Sequence, residues 1–159
     1  MEYREITFTR LSPDESRENR HFFEGKVKRA FVQWCAYQGL FDGVLTDDEI
    51  VQAKIEGKLP DCLDIHHIVP LSGTKDPAVN EFENLAILYK ATHTKINRQI
   101  FDPQLKGIKI GESRKILIPV FERVDAKRIM LLRSGRMTKD CELAIPSLSA
   151  LKEMRNYCR

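Results

Sequence analysis

Apolar and polar residues alternate over residues 2–10 of the chain, which predicts a short first strand. From Ser12 to about Gln38, aromatic and aliphatic residues recur three and four positions apart, which is the spacing of a helix with one buried face. Ser12 is followed by a proline and two acids, a typical helix start. We therefore expect a strand and then a long helix that supplies the core of the front half.

The same patterns predict the order of the remaining elements. Thr46 with Glu49 three residues later forms a capping-box pattern at the start of a second helix, which Gly57 ends. Leu148, Leu151 and Met154 are expected to face inward from a closing helix. The predicted elements after residue 45 are a helix over 46–56, strands over 62–69 and 85–89, a helix over 90–101 ended by Asp102-Pro103, strand pieces over 108–110 and 116–121, an apolar run over 128–132 and a helix over 147–157.

Composition places the chain among soluble globular proteins. Its 159 residues are 42% hydrophobic and 31% charged, enough for one domain with a sizeable core. No run of about 18 apolar residues is present, so we expect no membrane span. The first twenty residues are polar and charged, so we expect no signal peptide and a cytoplasmic location, in the producing cell or in a target cell.

The charges are unevenly distributed along the chain. Residues 1–89 carry 10 Lys and Arg against 16 Asp and Glu, a net of −6, whereas residues 90–159 carry 16 against 7, a net of +9. A basic half suggests a surface for a polyanion, and mixing of the two halves on one surface is the alternative. The four cysteines, Cys35, Cys62, Cys141 and Cys158, fit no zinc-binding spacing, so we expect reduced thiols.

Three of the four histidines lie within 28 residues in the middle of the chain. His93 and Asn97 stand four apart on a predicted helix, so their side chains leave the same face, as two ligands of one metal ion would. His66 and His67 are adjacent on a predicted strand and would point to opposite faces unless the strand ends there. Asp64 would share the face of His66, as a hydrogen-bond partner of a ligand or as an extra ligand. Taken alone, His93 and Asn97 could simply belong to a polar helix face, and His66 and His67 could be adjacent by chance.

The segments DIHHIVPLS, ENLAIL and HTKIN resemble the HNH motif of the ββα-metal nuclease superfamily, in the doubled-histidine form of colicin-type DNases. The resemblance covers about residues 61–105. It implies that His67 is the general base and that Asn84 holds the loop that positions this base. It also implies that His66, His93 and Asn97 bind one divalent metal ion, with zinc, nickel, manganese and magnesium as candidates.

The chain departs from the family pattern in three respects. The loop after Pro70 has Gly73-Thr74-Lys75 where a Gly-Gly pair is common, and Asn97 stands where the doubled-histidine nucleases usually have histidine. Asparagine is the weaker ligand for a soft metal, which would lower metal affinity. The CxxC pairs that brace many HNH domains are absent, so the flanking helices would have to brace this one.

These features predict an α+β fold with a ββα-metal core, acting as a metal-dependent endonuclease on DNA with low sequence specificity. RNA remains open as a substrate. Lys95 and Arg98, on the helix of the motif, are expected to contact the nucleic-acid backbone. A wider set of basic residues could add affinity, with a merely solvated surface as the alternative: Lys106, Lys109, Arg114, Lys115, Arg123, Lys127 and Arg128.

We expect one compact domain in three parts: an N-terminal strand and helices over 1–60, the HNH motif over 61–105 and a basic extension over 106–159. The setting could be a bacterial toxin, a phage nuclease or a defence nuclease. An immunity protein or a larger complex could bind the acidic front half. The alternative from another class is a ββα module that binds nucleic acid or a partner without catalysis.

Overall fold

The first strand of the chain pairs with the last strand that the structure describes. In the computed structural model, which describes residues 1–137 and 145–157, β1 (Glu2–Thr9) lies antiparallel to β4 (Ser113–Val120). Glu2 faces Val120 and Thr9 faces Ser113 across the pair. The predicted strands over 2–10 and 116–121 are therefore both present, and they pair the start of the chain with a segment more than 100 residues later.

The predicted long helix is present, with one irregular turn. α1 (Pro13–Phe22) continues through a π turn (Phe23–Val27) into α2 (Lys28–Tyr37). At its start the Ser12 side chain accepts from the Glu15 backbone N–H, and the Glu15 carboxylate accepts from the Ser12 N–H. This capping box satisfies two backbone donors that a helix start would otherwise leave unpaired.

A second capping box begins α3 (Asp47–Glu56). The Thr46 hydroxyl accepts from the Glu49 N–H, and the Glu49 carboxylate accepts from the Thr46 N–H. Gly57 ends the helix in the left-handed conformation, with a φ of 63°. Both ends of α3 therefore lie where local sequence chemistry predicts them.

The middle of the chain is a hairpin followed by a helix. β2 (Leu63–His67) pairs antiparallel with β3 (Leu85–Tyr89), and α4 (Lys90–Ile96) follows directly. The 17 residues between the two strands contain three short 3₁₀ turns, Leu71–Gly73, Pro77–Asn80 and Phe82–Asn84.

The predicted helix end at Asp102-Pro103 is wrong. α4 continues through a π turn (Asn97–Phe101) into α5 (Asp102–Leu105). Pro103 stands in the first turn of α5, where a helix tolerates a residue without a backbone N–H. The helical segment therefore extends four residues beyond the predicted end.

Two further expectations in the last third are corrected. Residues 108–110 form no strand; they belong to a turn before β4. The apolar run 128–132 lies in a helix, α6 (Ala126–Arg133), whose one fully buried residue is Ile129. In the closing helix α7 (Leu148–Tyr157), Leu151 is buried as expected, whereas Leu148 is 40% exposed.

The hairpin lies between two hydrophobic cores. Leu85 and Ile87 face the larger core, which the π turn after α1, α2, α3 and α6 complete around Phe31. Ala86 and Leu88 face the smaller core, which the β1–β4 sheet covers. Since successive strand residues point to opposite faces, the two adjacent histidines of β2 also point toward different cores.

Cys35 is not a reactive thiol. Burial raises the pKa of Cys35 to about 12, and this side chain is fully buried in the larger core. Cys62 is half-buried and free, while Cys141 and Cys158 lie outside the described residues. Across the described parts of the chain, no helix has the length and apolar character needed to traverse a lipid bilayer.

Candidate active site

His66 is buried against aromatic rings near the end of β2. It is 3% exposed, and its ring centre lies 5.0 Å from that of His93, 5.8 Å from Phe101 and 5.7 Å from Phe121. Its Nε2 atom is buried and has no hydrogen-bond partner among residues 1–137 and 145–157. A buried polar atom without a partner costs free energy unless something outside the chain binds it.

His66 is held in its neutral form. Burial, reinforced by the neighbouring His93 and His67 rings, lowers the pKa of His66 to about 3. A neutral imidazole has a free nitrogen lone pair, which is the form that binds a metal ion. The buried Nε2 atom of His66 is therefore chemically suited to bind a metal ion.

Asp64 orients His93. One Asp64 carboxylate oxygen lies 2.8 Å from His93 Nδ1, and this hydrogen bond is the main cause that lowers the pKa of Asp64. Since the carboxylate is ionised and can only accept, Nδ1 carries the proton and donates it. Nε2 of His93 is then left free for a ligand, as in carboxylate–histidine pairs at metal sites. Asp64 is therefore the hydrogen-bond partner of His93, a candidate metal ligand.

His67 points to the other side of the strand, toward the helices. Its ring makes an edge contact with Phe23, with the ring centres 4.5 Å apart, and its Nε2 atom lies 3.1 Å from Asn80 Oδ1. Asn80 is itself buried, and its Nδ2 donates to the Asn19 carbonyl oxygen at 2.9 Å. That bond fixes which end of the amide faces His67.

The asparagine therefore selects one tautomer of His67. Because the Asn80 oxygen can only accept, Nε2 of His67 carries the proton and Nδ1 keeps the free lone pair. Burial lowers the pKa of His67, opposed by the Asn80 hydrogen bond and assisted by the positive charge of Arg20. His67 is therefore a neutral base with a defined accepting nitrogen. Asn80 lies thirteen residues away in an irregular loop, and no spacing signal in the sequence could have indicated it.

Asn84 ties together the two ends of the loop between the strands. Its Oδ1 accepts from the Val69 N–H at 2.8 Å, and its Nδ2 donates to the carbonyl oxygens of Val69 and Val79 at 3.1 and 2.8 Å. These bonds anchor the loop at Val69 and Val79, close in sequence to the hydrogen-bonded pair His67 and Asn80.

His66, His67, His93 and Asn97 all line one cleft of about 360 Å³, which we call the histidine cleft. His66 and His67 point to opposite faces of β2. Both still line the cleft, because His67 is the last residue of the strand and the chain turns away after it. Asn97 is exposed and begins the π turn one helical turn after His93. Irregular π turns are frequent at functional positions of helices.

Three polar residues outside the predicted site are among the described residues that line the histidine cleft. Arg20 reaches it from α1, Ser72 from the loop and Asp102 from the start of α5. Arg20 is the one with a clear chemical use, because a guanidinium binds phosphate oxygens through several N–H groups. Its position depends on the packing of α1 against the hairpin, which the local sequence does not specify.

The predicted nucleic-acid contacts lie apart from the cleft. Lys95 and Arg98 are exposed on the helical segment and do not line the cleft. Several of the wider basic residues bind the protein itself: Arg114 donates to the carbonyl oxygens of Gln104 and Lys106, Lys115 pairs with Glu5, Arg123 pairs with Glu83 and stacks on Trp34, and Arg128 pairs with Asp125. Several basic residues in the second half of the chain therefore contact the protein itself and stabilise the fold.

The donors present suit a divalent transition metal. Two imidazoles and an amide side chain that line the same cleft favour zinc, nickel or manganese over magnesium. Within residues 1–137 and 145–157, no three His, Cys, Asp or Glu side chains form a ready ligand group, and the expected set combines two histidines with an asparagine. No family model, curated protein or solved structure matches this chain, so its geometry carries the functional argument.

Proposed function

We propose that this chain is a metal-dependent endonuclease of the HNH type that hydrolyses phosphodiester bonds in DNA. The observation that carries the proposal is a single cleft lined by two different kinds of histidine. The buried Nε2 of His66 has no hydrogen-bond partner among the described residues and its ring lies beside that of His93, while Asn80 fixes the tautomer of the His67 ring. A ligand site and a base site in one cleft are what metal-assisted hydrolysis requires.

In this proposal His66, His93 and Asn97 hold the ion, and Asp64 keeps the His93 ring in its binding orientation. When bound, a divalent ion supplies positive charge that polarises the phosphate and stabilises the leaving oxygen. The ligands are all neutral, so they leave the charge of the ion undiminished.

His67 acts as the general base. Its Nδ1 accepts a proton from water, the water oxygen attacks phosphorus, and the bond from phosphorus to the opposite ester oxygen breaks. The proton that Nε2 already carries remains in its bond to Asn80. Arg20 binds an oxygen of the phosphate and holds it in the cleft.

Nicking of supercoiled plasmid tests the proposal. The full chain should nick DNA in the presence of zinc, nickel, manganese or magnesium, and a chelator should stop the reaction. His93→Ala should lose activity because it removes a metal ligand. His21→Ala is the matched control, since His21 is an exposed histidine on α1 that does not line the cleft. Equal activity of the two variants, or cleavage that persists in chelator, would overturn the proposal.

A further inference from the structure

A second and larger cavity adjoins the histidine cleft. It measures about 840 Å³, and we call it the β1 cavity because Phe8 and Arg10 at the end of β1 form one wall. Ser72, Asp102 and Leu105 line both hollows. The two therefore share a wall, and a chain lying in the histidine cleft can pass over these three residues into the β1 cavity.

The wall formed by β1 is fixed by close packing. The Phe8 ring lies against Gly73, where an added Cβ would come within 2.4 Å of the ring. A glycine at this loop position is what allows the strand to approach so closely. Arg10 is held by backbone hydrogen bonds to Glu112 and Gly111 on the neighbouring turn. The cavity is thus bounded by a rigid strand end.

Positive charge marks the described residues that line the β1 cavity alone. Among the described lining residues, Arg10 and Lys106 are the two cations, and the one acid, Asp102, belongs to the part shared with the histidine cleft. The Arg10 guanidinium donates to the Leu105 carbonyl oxygen at 3.0 Å, and its Nε is buried with no hydrogen-bond partner in the described chain. Within the described chain, neither cation forms an ion pair with a carboxylate. An anion in the cavity would supply a counter-charge to both.

The remaining lining is apolar. Pro103, Ile108 and Leu148 stand around the two cations, and Leu148 is 40% exposed despite its place on the closing helix. Two cations beside apolar surface suit a phosphate together with the sugar or base attached to it. A strand of DNA that leaves the histidine cleft presents that combination at its next nucleotides.

We propose that the β1 cavity binds the DNA strand beside the cleavage position, with Arg10 and Lys106 binding one backbone phosphate. This inference rests on the proposed nuclease function for its substrate. It assigns substrate binding to two residues outside the segment that resembles HNH nucleases. It also gives the exposed Leu148 a function, as a surface for the nucleotide.

Binding rather than cleavage tests the inference. The full chain in chelator is titrated with a fluorescent 16-base-pair duplex at several salt concentrations. The variant Arg10→Gln/Lys106→Gln should bind about fivefold more weakly, and its salt dependence should fall by about 0.9 in the log–log slope, the loss of one phosphate contact. Arg4→Gln/Lys58→Gln removes two positive charges at exposed positions that do not line the cavity, and should bind like the wild type.

A third variant separates charge from folding. Arg10→Lys keeps the charge but cannot reproduce the guanidinium bond to Leu105, so it should retain most of the affinity if phosphate binding is the role of this residue. Urea unfolding of all variants reports on stability. Equal weakening by the two charge-matched double variants, or a wild-type chain that does not bind the duplex, overturns the inference. Failure of the nuclease proposal looks different, because the wild type then binds the duplex and never nicks plasmid with any metal.

Discussion

The two adjacent histidines differ in what surrounds each ring. His66 is enclosed by aromatic rings and has a buried nitrogen with no partner among the described residues, whereas His67 lines the cleft and is hydrogen-bonded to Asn80. The difference follows from strand alternation, since one residue faces the sheet core and the other faces the helices. Chemistry and metal binding should therefore be separable by mutation.

We expect His67→Ala to bind metal and DNA nearly as well as the wild type and to cut more slowly by about 100-fold or more, the usual effect of losing a general base. His66→Ala should weaken metal binding and lose activity that excess metal partly restores. Calorimetric titration with zinc, alongside plasmid nicking, measures both effects. If His67→Ala loses the metal and His66→Ala keeps it, the roles are reversed.

Asn80 should control the tautomer of His67. Asn80→Leu removes the acceptor, so the proton of the His67 ring should distribute over both nitrogens and cleavage should slow by about tenfold or more. Asn80→Asp keeps an acceptor at the same place and should preserve the Nε2–H tautomer. Nitrogen-15 chemical shifts of the His67 ring, measured on the metal-free chain, report the tautomer directly. An unchanged tautomer in Asn80→Leu would show that Asn80 only fills space.

At the scale of elements, local chemistry determined what the sequence could predict. The two capping boxes, Gly57 and the apolar strand over 85–89 depend on residues a few positions apart, and each lies where the pattern places it. Pro103 was misleading because a proline is equally acceptable inside the first turn of a new helical segment. Arg20 and Asn80 were missed because contacts between distant elements bring them to His67.

Gly57 illustrates a position that only glycine can occupy. A Cβ at this residue would lie 2.4 Å from the Arg29 Cγ and 2.7 Å from the Arg29 carbonyl oxygen, and its φ is 63°. Gly43 has a similar φ of 75° with open space around it. Gly43→Ala should therefore cost about 1 kcal/mol for the left-handed backbone, and Gly57→Ala should cost a further 1–3 kcal/mol or so for the overlap with α2.

Urea unfolding of both glycine variants measures these free energies. The comparison isolates the packing contribution, because the two glycines share the same backbone strain. Equal losses of stability would mean that α2 moves aside at no cost and that the contact with Arg29 does not define the end of α3.

At the scale of the whole molecule, one ion pair connects the front helices to the last described third. Arg133 on α6 donates to Glu49 on α3 at 2.6 Å, and this bond is the main cause that lowers the pKa of Glu49. A carboxyl whose pKa is lowered by folding stabilises the protein above its unfolded pKa and loses that effect as the pH falls through its folded value.

Glu49→Gln should therefore reduce the free energy of unfolding by about 1 kcal/mol or less at neutral pH, since the pair is partly exposed. The deficit should shrink toward zero as the pH falls below the ordinary glutamate pKa of 4.5. Glu24→Gln, which removes an exposed helical ion pair with Lys28 at 3.6 Å, is the control and should change little at any pH. A deficit for Glu49→Gln that stays constant with pH would assign the effect to shape rather than charge.

The pairing of β1 with β4 also determines the order in which the molecule can be completed during synthesis. Thr9 and Ser113 bond across 104 residues of sequence, so the strand pair closes a long loop and forms late, after local helices and the hairpin. A nascent chain ending at Leu105 already contains every histidine, yet the smaller core behind His66 still lacks Ile116 and Ile118. The histidine cleft is therefore not fully assembled until the last third of the chain has emerged from the ribosome.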